Sequence, residues 1–489
     1  MEILGKIQIT VIILFSLLIL TCRTQNPPLS GDNLSIVPKS EAEEGIIETL
    51  PEIYNDEDIF ILYNFYMKLK NRNSTIYNLS WFEKRIKQFE NNTEGSMISP
   101  GILPLLSFEK DKINSLINNM SLDEKIGQIF ILDLKKKSNG NYYLNDDDEL
   151  KNYLADIKPG GVIFFSDNIK KNSQVAGFIS ELQSNSSIPL FIAVDQEGGR
   201  VSRLTISENM DFLKTPALKV LGKINDSGAS WHVGLIIGEQ LSILGFNLNF
   251  APVADINSNP DNPVIGDRAF SDNVQTVSKL VKPLVQGLQE AGVCSVIKHF
   301  PGHGDTLTDP HSGEVSVKTS LKELYRNQLI PFREGISQGT AAVMIAHIKT
   351  PDIAETKGLP ASISPFFIKN ILREQIGFKG IIISDSFSMG AIKNYWTAEE
   401  SAKMFISAGG DLILRPVDAA AAKKGIYKSI IEGSISEERL NESIFRILAV
   451  KLRFGFFLDD NKPGKLNLAK DKLIIDSINK EYERLNGKT

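Results

Sequence analysis

Eight short apolar segments, separated by runs with helical periodicity, predict an α/β fold: a (β/α)8 TIM-type barrel forming a single catalytic domain over residues 116–458, with an N-terminal helical extension. Three observations predict it. The segments IGQIFIL, GGVIFF, LFIAV, FNLNFAPV, CSVI, AAVMIA, GIIIS and DLIL have strand length. Each is followed by a connection long enough for a crossover helix, and the whole span has the size of one eight-stranded barrel. A doubly wound open sheet has the same periodicity and stays open as the second architecture.

Taken in order, Met1 to Thr21 carries Lys6 and then the apolar run Ile9 to Leu20, the layout of an export signal, and the run is shorter than a spanning helix needs. Residues 1–22 are therefore read as a signal or lipoprotein segment. Ile19-Leu20-Thr21-Cys22 resembles a loose bacterial lipobox, which implies lipidation at Cys22. An uncleaved signal anchor is the alternative, and either way the expectation is an exported, membrane-tethered protein of the cell envelope. Residues 23–50, with Asn26-Pro27-Pro28 and the acidic run Glu41 to Glu44, read as a tether. Residues 51–115 alternate aromatic and basic side chains and are expected to form a small helical extension without an assigned role. Within the barrel span, Val277, Leu280, Val281, Leu284 and Leu288 fall on one helical face, and Ser121-x-x-Glu124, Ser320-x-x-Glu323 and Thr397-x-x-Glu400 read as capping boxes. Residues 459–489 form a polar C-terminal tail with one helical run, too short for a second domain.

Composition removes several function classes. A net charge of -5 argues against a nucleic-acid footprint. Two cysteines, Cys22 and Cys294, cannot build a disulfide scaffold, and Cys294 sits in an apolar strand as a small buried hydrophobe. No cofactor is expected.

Chemistry concentrates where a barrel of this kind places it, at the carboxyl ends of the strands. Asp195 follows FIAV, Asp255 and Arg268 follow FNLNFAPV, Lys298-His299 follow CSVI, His347 follows VMIA, and Asp385 follows IIIS. The loop KHFPGHGDTLTDPHSG, from Lys298 to Gly313, holds three of the five histidines. A fixed, ionised carboxylate such as Asp385 can attack an electrophilic carbon. Asp309-Pro310-His311 offers the partner: the carboxylate orients the imidazole and favours its protonated form, and Pro310 stiffens the backbone. A nucleophile with an acid/base group suits retaining glycoside cleavage through a covalent intermediate. His299, His303, Asp305, Asp309 and His311 also have ligand-type side chains, but no strand-end His-x-His pair accompanies them near the first strand, and no metal is expected.

The motifs MSLDEKIGQIF, AVDQEGGRVSRL, LNFAPVADI, IGDRAF, KHFPGHGDTLTDPH and SDSFSMGAI, in this order over residues 120 to 458, resemble the barrel domain of family 3 glycoside hydrolases, in particular the beta-N-acetylglucosaminidase branch. The resemblance implies that Asp385 is the nucleophile and that His311 with Asp309 is the acid/base dyad. It also implies that Asp195, Arg203, Arg268, Lys298 and His299 bind the sugar, so that the partner is a carbohydrate containing N-acetylglucosamine, drawn from peptidoglycan fragments or chitooligosaccharides. Two positions depart from the family pattern: Pro310 replaces the usual Ser or Thr within the dyad, and Ser386 follows the nucleophile. A phosphorylase, another family 3 beta-glycosidase, and an inactive sugar-binding lipoprotein stay open as alternatives.

Overall fold

The structure is a computed structural model that describes residues 105, 107–134, 137, 139–205, 210–306, 313–457 and 468–486. The signal segment with Cys22, the tether, residues 51–104 of the extension, and Asp309, Pro310 and His311 lie outside them. Among the described residues, no helix is long and apolar enough to cross a membrane.

All eight expected segments contribute a strand to one sheet: β1 Phe130–Asp133, β2 Gly161–Phe164, β3 Phe191–Val194, β4 Leu248–Asn249, β5 Cys294–Phe300, β6 Ala342–Ile345, β7 Ile381–Ser384 and β8 Ile413–Leu414. Each pairs in parallel with the next in sequence from β1 to β7, and β8 pairs with β1. A parallel bridge from Ile383 to Leu412 joins β7 to β8 and closes the ring, which excludes the open doubly wound sheet. Helices on the connections cover the outside, among them Asp148–Ile157, Asn172–Ser184, Ser227–Ser242, Val274–Glu290, Leu329–Ser337, the wide π-helix Phe366–Gln375 and Ala398–Ala408. The three capping boxes form, with Ser121, Ser320 and Thr397 each accepting from the backbone three residues on.

The first segment is shorter as a strand than expected. Within IGQIFIL, Ile126 to Gln128 finish the helix Leu122–Gln128 begun by the Ser121 capping box, and only Phe130 onward is extended. A buried apolar run looks the same on either element, so periodicity could not separate them.

Register fixes which side chains face the barrel axis. Phe164 packs edge-on against Phe178 of the outer helix Asn172–Ser184, and Ile297 lies against Gly335 of the outer helix Leu329–Ser337. The residues one step on, Phe165 and Lys298, therefore point inward. Following the pairings round the ring, Asp133, Asp195, Lys298 and Asp385 share that inward phase at the carboxyl rim. The helix Ser107–Asn119, with Ile113 and Ile117 buried, packs against Glu437–Arg453. The helix Leu468–Leu485 packs against the helices Leu218–Ile224 and Ser227–Ser242.

Candidate active site

The rim of the barrel gathers its charges through two local devices. After β3 the chain makes a tight hairpin, Gln196–Gly198 against Val201–Ser202. Asn249 at the end of β4 clamps it, its amide accepting from the Gln196 N–H and donating to the Gln196 carbonyl, each at 2.9 Å. Gly198 turns the corner at φ +94°, where a Cβ would stand 2.5 Å from the Pro216 carbonyl. Asp195 and Glu197, two residues apart on extended chain, consequently face the same way.

The second device is a bulge. Between the pairs Ile297↔Val343 and Ile297's successor pair Phe300↔Ile345, β5 advances three residues while β6 advances two. The extra residue breaks the alternation, so Lys298 and His299 both turn to the mouth. Gly304, just beyond, lies so close to the Ile256 carbonyl that a Cβ would sit 1.6 Å from it. This packs the following loop tightly against the β4 side.

From these supports a charge network follows. Lys298 Nζ donates to Asp195 Oδ1 at 2.8 Å and stands 2.7 Å from Glu197 Oε1. Arg268 donates to both Glu197 oxygens, at 2.8 and 2.7 Å, and its Nη2 lies 3.5 Å from His299 Nε2. Burial would raise the Glu197 carboxyl, but Arg268 and Lys298 outweigh it and hold the group far below the usual carboxylate range. Burial would likewise lower Lys298, and Asp195 and Glu197 raise it above its ordinary value.

Asp255, fully buried, orients the histidines. It accepts from the His299 N–H and from His299 Nδ1 at 2.7 Å, and from the His303 N–H at 2.7 Å. An Nδ1–H given to a carboxylate leaves His299 Nε2 directed at Arg268 and the pocket. His303, also buried, has Nδ1 2.8 Å from the Thr306 hydroxyl, and desolvation with the nearby His299 lowers it to about 4. It is neutral at physiological pH.

Asp385 follows β7 directly. Its N–H donates to the Ile345 carbonyl of β6 at 2.9 Å, and its Oδ1 accepts from the Ser386 N–H at 2.7 Å. Burial alone would raise this carboxyl, but His347, His299, the Ser386 N–H and Lys298 together hold it below its ordinary value. His347 is itself fixed, Nδ1 at 2.8 Å from the Ser362 hydroxyl and Nε2 at 3.0 Å from the Ser386 carbonyl, to which it donates. The arrangement presents an ionised, directed carboxylate at the barrel mouth, held in that state by His347, His299, the Ser386 N–H and Lys298.

The structure thus brings together Asp195, Arg268, Lys298, His299 and Asp385 on the rim. Arg203 is partly exposed, no hydrogen bond joins it to these residues among the described ones, and its Nε has no hydrogen-bond partner there. Asp309, His311 and Cys22 lie outside the described residues. Sequence reasoning missed Glu197, the counter-ion at the centre of the network, and gave no role to Asp255. The signal for Glu197 was available, since two carboxylates two residues apart on extended chain share a face. Among the described residues no group of three His, Cys, Asp or Glu side chains could hold a metal ion.

Comparison with known proteins agrees with this geometry. Residues 121–450 match the glycosyl hydrolase family 3 N terminal domain. The chain is 32% identical over 329 residues to a beta-hexosaminidase A of Pseudoalteromonas piscicida, covering 62% of this chain but only 55% of that protein. It is 38% identical over 274 residues to a beta-hexosaminidase of Neisseria meningitidis serogroup C (strain 053442), covering 55% and 74%. Among solved structures, a glycoside hydrolase family 3 beta-N-acetylglucosaminidase from Paenibacillus sp. str. FPU-7 superposes with a TM-score of 0.68 at 35% identity, covering 74% of this chain and 69% of that one. Beta-glucoside phosphorylase BglX, at 24% identity and a TM-score of 0.66 over 76% of this chain and 66% of that one, shares the fold. The match over two thirds of the sequence, laid on a closed parallel barrel, means that the chain belongs to glycosyl hydrolase family 3.

Proposed function

We propose that the protein is a retaining, exo-acting beta-N-acetylglucosaminidase that removes terminal N-acetylglucosamine from peptidoglycan fragments or chitooligosaccharides. The observation that carries the reading is the setting of Asp385: inward-facing at the end of β7, with one oxygen bonded to a backbone N–H and cationic groups holding it ionised. The beta-hexosaminidase and beta-N-acetylglucosaminidase relatives support the choice of sugar.

In the first step an Asp385 oxygen forms a bond to the anomeric carbon as the glycosidic C–O bond breaks, and His311, paired with Asp309, gives its proton to the departing oxygen. In the second, water attacks the same carbon and returns a proton to His311, the Asp385 ester bond breaks, and the sugar leaves with retained configuration. Lys298, His299, Arg268 and Asp195 bind hydroxyls and the acetamido group, with Arg203 at the edge of the pocket. Binding energy at these groups distorts the ring toward the transition state.

The test is turnover of 4-nitrophenyl N-acetyl-beta-glucosaminide against the plain glucoside. Preference for the glucoside moves the protein to another branch of the family. Asp385→Ala is expected to abolish turnover in a folded protein. His311→Ala should slow oligosaccharides far more than activated aryl glycosides, and equal losses on both would remove its role as the acid. Because an imidazole does not repel an anionic acceptor as a carboxylate does, assays with and without phosphate should be searched for sugar 1-phosphate, the product of a phosphorylase. The proposal includes export and tethering through lipid on Cys22. Labelled palmitate should enter the wild-type protein and not Cys22→Ala.

A further inference from the structure

Beginning at β8, next to the strand that carries Asp385, and reaching on to β1 and β2, stands a second group of rim residues without a role so far. Arg415, the first residue after β8, has a φ of +48°, a left-handed conformation that an L side chain adopts at a cost. Its Nε donates to Asp133 Oδ2 at 3.0 Å, and its guanidinium lies over the Phe165 ring, 4.8 Å from the centroid. Asp133 ends β1 in the inward phase, and Phe165 follows β2 in the register of Asp195, because Phe164 pairs with Val194. The stack therefore sits over the barrel mouth beside Asp195. Among the described residues, nothing else accepts from the guanidinium, which leaves its terminal N–H donors for a ligand's oxygens.

The order of strands orients the sugar relative to this stack. In a ring of eight, β7 faces β3, and β5 and β6 face β1 and β2. With the anomeric carbon over Asp385 of β7, and the leaving oxygen turned to the loop after β5, the opposite end of the pyranose, which carries O4, points at β1 to β3. From the end of β8 the Arg415 side chain reaches Asp133 of β1 and the Phe165 ring after β2, on that arc.

We propose that Arg415, laid on Phe165 and held by Asp133, is the specificity wall that meets the non-reducing end of the sugar, donating to O4 and leaving no room for a further residue there. This rests on the glycosidase reading above and adds the structural cause of exo action. A planar cation stacked on a ring and pinned at one nitrogen keeps a fixed direction, as hydroxyl recognition requires. An extended chain passing O4 would have to displace it.

The experiment uses the full chain and two substrates, 4-nitrophenyl N-acetyl-beta-glucosaminide and its 4-O-methyl derivative. Wild type should prefer the unmethylated glycoside by at least about tenfold in kcat/KM, since a buried donor left without its hydroxyl partner, or a methyl against a wall, carries that order of discrimination. Arg415→Gly removes the side chain at a position whose backbone suits glycine, so the fold is expected to survive. Its KM for the unmethylated substrate should rise, with kcat changed much less, and the preference should shrink to near unity. Phe165→Leu, which removes the shelf and keeps the apolar contact below, should lower the preference in the same direction. A preference unchanged in both variants, even with a lowered melting temperature, makes the stack merely structural and overturns the proposal. Absence of wild-type turnover on the unmethylated substrate instead overturns the glycosidase reading.

Discussion

Glu197 faces two cations inside a wall closed to water, with Arg268 bidentate on it and Lys298 at 2.7 Å. Removing one charge from such a set leaves the others buried without balance, at a cost of about 3–5 kcal/mol. Glu197→Gln keeps the shape and deletes the charge. It is expected to lower the melting temperature and to raise KM, because Lys298 and Arg268 lose the group that aims them. Thermal unfolding together with steady-state kinetics checks both, and wild-type values in each would remove the role given to Glu197. His303 makes a separate, pH-dependent prediction. Its pKa falls from the ordinary 6.5 to about 4 in the folded chain. The unfolded chain therefore takes up the proton first as pH falls, and folded stability is lost from about pH 6.5 down to about pH 4. Between pH 7 and pH 5 the loss attributable to this group is about 2 kcal/mol. The depressed carboxyls of Glu197, Asp255 and Asp385 act elsewhere, since their stability is kept above the ordinary carboxylate range and lost only as pH falls below it. Urea unfolding at pH 7 and pH 5 should show a smaller drop for His303→Gln than for wild type, and equal drops would contradict the assignment.

At the scale of elements, β7 and β8 join just before the regular part of β8, where Leu412 bridges Ile383, its N–H donating to the Ile382 carbonyl and its carbonyl accepting from the Ser384 N–H. Asp411, fully buried just before β8, reinforces the join from the amino end. It accepts from the Ile382 N–H of β7 at 2.9 Å, from Arg373 of the π-helix, and from Arg446 and Ser443 of the helix Glu437–Arg453 at 3.0 and 2.9 Å. One carboxylate thus ties the closing strands to two outer helices. Burial opposes its charge, and Arg373, Arg446 and Arg439 overcome this, holding it below the ordinary range. Asp411→Ala strands three arginines and a strand N–H together. A loss of about 3–5 kcal/mol is expected in urea unfolding, with kcat per folded molecule close to wild type because the residue lies at the end of the barrel away from the pocket. A variant as stable as wild type would place barrel closure elsewhere.

For the whole molecule, the strands were legible in sequence because parallel barrel strands are buried on both faces and read as continuous apolar runs, as in FIAV and GIIIS. Rim residues such as Asp195, Lys298 and Asp385 were legible because a polar residue ending such a run has few other places to go. Three things were hidden. The ring's closure depends on the Ile383–Leu412 pairing, which leaves no trace in periodicity. Arg415 is held by a partner far off in sequence, Asp133, and the pairing of Glu197 with Arg268 is equally remote, although the face that Glu197 shares with Asp195 was readable from their spacing. The polar tail, read only as one helical run, docks through Ile475 and Ile478, both buried on a surface that its own composition does not describe. That last contact couples the tail to the pocket, for the helix Leu218–Ile224 beneath it also touches the turn Gly266–Arg268 that carries Arg268. Truncation after residue 457 should uncover the apolar surface of the helices Leu218–Ile224 and Ser227–Ser242 and loosen that turn. The expected result is a lower melting temperature and a KM raised more than kcat is lowered, since the proposed role of Arg268 is in binding and Asp385, at the end of β7, does not touch that turn. If truncation lowered kcat alone, with KM and melting temperature at wild-type values, the helix would have to act on the catalytic loop directly, and its coupling through the Arg268 turn would be wrong.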